Sequence, residues 1–138
     1  MNALPEGVHL FGHNHMQFHM EHAGRLFVNP GSCGQALDGD TRAAYTLLTR
    51  RGSLWAVTER RVAYDLGEAA EGLRVSGFSA CSPVWSEVIL LELTTGLNYM
   101  TPFVMHLMDT GRALGCSEYP VSRAVWDAAV QTWDANKI

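Results

Sequence analysis

The chain has 138 residues and a mass of 15.2 kDa, with 47% hydrophobic and 17% charged residues, a net charge of −4 and a pI near 5.8. That length predicts one domain with enough apolar material for a buried core, and the hydrophobic content excludes intrinsic disorder. The acid excess argues against a general nucleic-acid binder; no apolar run is long enough to span a membrane and the first six residues do not resemble a signal peptide, so a cytoplasmic protein without membrane partners is expected.

Val8-His9-Leu10-Phe11 is a short apolar run ending at Gly12 and predicts a buried strand that feeds a loop. Met16 to Glu21 and Leu26 to Asn29 predict a hairpin around His22-Ala23-Gly24, with the glycine supplying a positive φ. Asn29-Pro30-Gly31-Ser32 ends the second of those strands as a turn: proline fixes the first central φ, glycine permits type II geometry, and Asn29 and Ser32 can bond nearby backbone. Residues 43–48 and 54–57 predict a second hairpin around Arg50-Arg51-Gly52-Ser53, continued by Val62-Ala63-Tyr64. Arg42, Arg50, Arg51, Arg60 and Arg61 face only Glu59 over this stretch and are expected on its solvated face.

From Asp65 the period becomes helical. Asp65 is placed to cap a helix through about Leu73, a second helix runs from Ser86 to Thr95 and stops at Gly96, and Thr101-Pro102 starts a third. In that third helix Phe103, Leu107 and Leu114 form the apolar stripe, while Met100, Met105 and Met108 read as packing residues. Pro120 opens a last helix with Val121, Val125, Ala128 and Thr132 on one face and Trp126, Val130 and Trp133 beside it. Cys33, Cys81 and Cys116 form no CxxC pair and predict reduced, mostly buried thiols. The expected fold class is α+β: β-strands and hairpins over 1–64, then a helical C-terminal extension over 65–138 packed on them.

Five of the six histidines lie between positions 9 and 22. Neutral imidazole binds first-row metals, and His13 and His15 occupy a loop directly after a predicted strand, where a sheet can present ligands. Taken alone, such a pair is a weak metal signal; His19 and His22 read as surface residues of the hairpin, and His106 as a hydrogen-bonded or surface residue of a helix. A histidine-rich metal-storage or sensing segment rests on the same cluster.

Gly12-His13-Asn14-His15, Asn29-Pro30-Gly31-Ser32 and the stretch from Asp38-Gly39-Asp40 to Tyr45 say more together. In that order and spacing they resemble the C-terminal part of calcineurin-like metallophosphoesterases, above all the small bacterial phosphodiesterases with a terminal Gly-His-Thr-His followed by Asn-Pro-Gly-Ser. The resemblance implies the second half of a four-layer α/β/β/α sandwich and hydrolysis of phosphomonoesters or phosphodiesters at a two-metal centre of Mn, Fe, Zn or Ni. His13 and His15 would each bind a different metal ion, Gly12 would let the backbone turn close to the centre, and Asn14, Asn29 and Ser32 would support the site.

The family's other ligands, in Asp-x-His, Gly-Asp-x-x-Asp and Gly-Asn-His, precede the Gly-His-x-His strand, whereas residues 1–11 alone precede Gly12 here and the first aspartate is Asp38. Asn14 also stands where threonine is usual, and Ala36-Leu37 where Pro-Arg is common. No catalytic residue is identifiable in the chain. The expectation is a truncated C-terminal part of a metal-dependent phosphoesterase, inactive and unable to retain metal firmly by itself, partnered by its missing N-terminal half or by further copies of itself. The alternative is a non-enzymatic oligomerisation or partner-binding module derived from that fold.

Overall fold

The computed structural model describes residues 4–116, 118 and 120–135. In chain order they form β1 (Gly7–Leu10), β2 (Gln17–His22), β3 (Arg25–Pro30), β4 (Ala43–Arg51), β5 (Leu54–Val62), α1 (Leu66–Val75), α2 (Phe78–Cys81), α3 (Pro83–Thr95), α4 (Met100–Ala113) and α5 (Arg123–Thr132). The fold is mixed α+β, with the described strands in two small sheets. Among the described residues no helix is long and apolar enough to cross a membrane.

The first sheet has the order β1-β3-β2. β2 and β3 are antiparallel, with Gln17 opposite Pro30 and His22 opposite Arg25. The two residues between them, Ala23 and Gly24, sit at φ 47° and 71°. Two successive left-handed residues make the tight turn whose twist matches that of the flanking strands. β1 lies parallel to β3, with Val8 opposite Leu26 and Leu10 opposite Val28. The second sheet is the antiparallel hairpin β4–β5, from Ala43 opposite Val62 to Arg51 opposite Leu54 around Gly52-Ser53.

The chain gathers into two compact units, residues up to Gly67 with Leu93–Leu97, and Glu68–Glu92 with the chain from Asn98 onward. In the first, Leu26, Val28, Ala36 and Ala44 are buried, and the period-two pattern of β3 puts Leu26 and Val28 on one face. His19 of β2 reaches Glu59 of β5 at 2.7 Å, a contact from one sheet to the other.

The second unit is built around Phe103, which has no exposed surface. Trp85, Trp126 and Trp133 bring their ring centres to 5.7, 5.6 and 5.2 Å from it, in the edge-on arrangements that aromatic quadrupoles favour. Leu107, Val125 and Ala129 join α4 to α5. His106 Nε2 meets the Ala129 carbonyl and the Thr132 hydroxyl, the hydrogen-bonded role expected of it.

Several local expectations give way. The strand after residue 7 is not a buried one: Leu10 and Phe11 are 67% and 40% exposed, because β1 is an edge strand with one neighbour. Thr101 does not cap α4, which already begins at Met100. The carboxylate of buried Glu92 accepts the backbone N–H groups of Tyr99 and Met100, at 2.9 and 2.7 Å, and Asn98 accepts that of Thr101. A remote carboxylate therefore does what a local hydroxyl was expected to do. The last helix starts after Ser122, whose hydroxyl accepts from Val125 N, rather than at Pro120, and Ala129 rather than Ala128 is its buried alanine.

Leu114, Met105 and Met108 are all more than half exposed, so the stripe of α4 narrows to Phe103 and Leu107. The three cysteines are exposed rather than buried. The short helix α2 has no counterpart among the expected elements.

Candidate functional site

The loop Gly12-His13-Asn14-His15 leaves the end of β1, and its backbone carries two uncommon conformations. His13 and His15 have φ values of 78° and 58°. A side chain at positive φ crowds the following carbonyl, at about 1 kcal/mol or more per residue, so the surroundings must hold it. Gly12, expected to be the permissive position, has an ordinary φ and open space where a Cβ would stand. The strain falls on the histidines and not on the glycine.

Three sets of bonds hold the loop. Asn14 Oδ1 accepts the backbone N–H of Met16 at 3.1 Å, closing a local turn. The same oxygen accepts from Asn29 Nδ2, and Asn29 is fully buried. Asn29 Oδ1 in turn accepts the backbone N–H of Gly31 at 3.0 Å. The two asparagines thus bring the Gly-His-Asn-His loop and the Asn-Pro-Gly-Ser turn together in space.

Gly31 has a φ of 83°, as type II geometry requires at this position, and a Cβ built there would stand 2.8 Å from Ala44 Cβ and 3.0 Å from Gln17 Cβ. Ser32 Oγ accepts from Gln35 N at 3.0 Å, which turns the following loop back, and the Ser32 carbonyl accepts from Ala44 N.

That returning loop meets His15. The ring Nδ1 lies 2.8 Å from the carbonyl oxygen of Gln35. A carbonyl can only accept, so Nδ1 carries the hydrogen, and in the neutral ring Nε2 keeps a bare lone pair. Metal-binding histidines are oriented in this way by a carbonyl or carboxylate behind the ring. The Leu37 N–H also donates to the His15 carbonyl, at 3.5 Å. His13 is exposed beside it.

His9 stacks on Phe27 with its Nε2 on the Pro5 carbonyl, and His19 pairs with Glu59; neither belongs to the loop. Among the described residues no three His, Cys, Asp or Glu side chains come together as a metal-binding group. Imidazole is a donor type that suits a nitrogen- and oxygen-ligated centre, and His13 and His15 could offer two of them from this one loop.

Behind the loop lies a polar cluster that residue types alone do not disclose. Arg61 of β5 donates to both carboxylate oxygens of Asp38, to the Asp40 carbonyl at 3.0 Å and, through Nε, to Gln17 Oε1 at 2.7 Å. Asp38 also accepts the Gln17 backbone N–H at 3.2 Å. With side chains only 14% and 17% exposed, Arg61 and Asp38 form an enclosed pair, not members of a solvated arginine face. Burial works to raise the Asp38 pKa, but the Arg61 hydrogen bond, the Gln17 N–H and the Arg61 charge outweigh it, leaving it below the usual carboxylate value. Asp40, bonded to the Arg42 side chain and backbone N–H, is lowered further, to about 2.

No protein-family model, curated protein or solved structure matches the chain.

Proposed function

We propose that the chain is the C-terminal part of a metal-dependent phosphoesterase, in which His13 and His15 supply two imidazole ligands and other polypeptide supplies the carboxylates. The observation that carries this reading is the His15–Gln35 bond, which presents the Nε2 lone pair from a loop held in a left-handed conformation. Backbone strain of this kind is kept where a side chain must be aimed. The Asn14–Asn29 bond adds support, since it unites the two motifs on which the family resemblance rests. Such a centre, when loaded, activates water and neutralises charge on phosphate oxygens. The chain's own part is to aim two nitrogens and to hold their loop rigid, and the chain alone is inactive.

Titration of the chain with Mn²⁺, Zn²⁺ and Ni²⁺, with hydrolysis of bis-p-nitrophenyl phosphate followed alongside, tests this. Weak binding that disappears in His13→Ala and in His15→Ala, without turnover, is the expected result. Binding that survives both substitutions overturns it.

A second reading, a partner-binding or oligomerising module, is favoured by the apolar surface that the strands and the loop before β2 expose. Leu10, Met16, Met20, Tyr45, Leu47 and Leu54 are each at least 43% exposed, and β1 is an open edge. Light scattering after size exclusion decides it: a strict monomer at high concentration speaks against self-assembly.

A further inference from the structure

The acceptor that orients His15 is a backbone carbonyl, so its position depends on the path of the whole loop from Gly31 to Arg42. Two residues of that loop touch His15: Gln35 through its carbonyl and Leu37 through its N–H. The next residue, Asp38, is the one that Arg61 grips. We infer that Arg61 is a positioning residue for His15, acting through Asp38 to hold the Gln35 carbonyl against Nδ1 and so keep Nε2 unprotonated and outward.

Arg61 is suited to this by its fork. One guanidinium spans both Asp38 oxygens, the Asp40 carbonyl and Gln17 Oε1, which ties the loop to the start of β2, two residues beyond His15. Gln17 completes the frame by donating through Nε2 to the Tyr45 carbonyl at 2.9 Å, which adds β4. A lysine carries the same charge as a compact point and cannot satisfy these acceptors together. The role of the clamp in metal binding rests on the proposed function, whereas its effect on the His15 ring does not.

The test is a long-range ¹⁵N–¹H spectrum of the metal-free chain, at a pH where imidazole is neutral, read with Ni²⁺ affinity by calorimetry. Wild type should show His15 in the Nδ1–H form. Arg61→Lys and Asp38→Asn should each shift it toward the Nε2–H form that an unconstrained histidine side chain prefers, and should weaken Ni²⁺ binding about 10- to 100-fold while the amide spectrum stays folded. A folded Arg61→Lys with an unchanged His15 tautomer overturns the inference, as does a wild-type His15 in the Nε2–H form. Unfolding of both variants also overturns it, because Arg61 would then serve the stability of the unit and not one ring. If the tautomer responds but wild type takes up no Ni²⁺, the clamp stands and the metal reading falls.

Discussion

Asn29 donates its side-chain N–H to the side-chain oxygen of Asn14, across a separation of 15 residues. The bond ties the interior end of β3 to the loop after β1, and each partner has a second bond to its own turn, Asn14 to Met16 N and Asn29 to Gly31 N. Removing either amide takes one of the other's two bonds. Asn29→Ala should cost about 1–3 kcal/mol, because it leaves the Gly31 N–H and the Asn14 oxygen short of partners. In a double-mutant cycle with Asn14→Ala, read by urea denaturation, the two should couple by about 0.5 kcal/mol or more. Strict additivity would mean that the two turns are held separately.

His13 and His15 are held in a conformation that glycine adopts freely. His13→Gly should therefore raise stability by about 1 kcal/mol while abolishing metal binding. A thermal melt and a Ni²⁺ titration on the same sample check both halves. A loss of stability would show that the His13 ring is held by packing.

The two glycines of the motifs should behave oppositely. Gly31→Ala places a methyl against Ala44 and Gln17 at positive φ, at a cost of about 2 kcal/mol or more. Gly12→Ala meets nothing within 4 Å and should change stability by about 0.5 kcal/mol or less. Denaturation midpoints of the pair decide this, and equal midpoints would contradict the close approach at Gly31.

The Asp38–Arg61 pair also sets an acid limit. Asp38 has a folded pKa below its ordinary 3.8, so the stability that its charge confers is complete above that value and is lost as pH falls through the lowered one. Denaturation midpoints followed from neutral pH to below 3.8 should fall less steeply in Asp38→Asn than in wild type. Asp40, lowered to about 2 by Arg42, leaves a residual slope in the variant. Parallel slopes would mean that the pair is not formed in solution.

Local chemistry made much of the fold legible. Ala23-Gly24, Asn29-Pro30-Gly31-Ser32 and Gly52-Ser53 signal their turns because few residues tolerate those conformations, and the strands between them follow from alternation. What could not be read came from distant partners. Glu92 caps α4 through groups seven and eight residues away, and Arg61 leaves its hairpin face to reach Asp38. In the site, His13 and His15 stood out by residue type, but the Gln35 carbonyl did not, since every residue has one. Gln17 and Arg61 gave no signal beyond being polar. The left-handed conformations of the loop fall on His13 and His15 and not on Gly12, which no local glycine rule foretells.

The two-residue turn at Ala23-Gly24 works as a ruler. It fixes Phe18 opposite Asn29 and His19 opposite Val28, and a strand alternates sides at every step. One residue added to or removed from that turn would exchange the two sides of β2 against β3. Phe18 and Met20 would trade places with His19 and Glu21, and Gln17 would turn away from Arg61. The aim of a histidine near one end of the sheet is thus measured out by the tightness of the bend at the other.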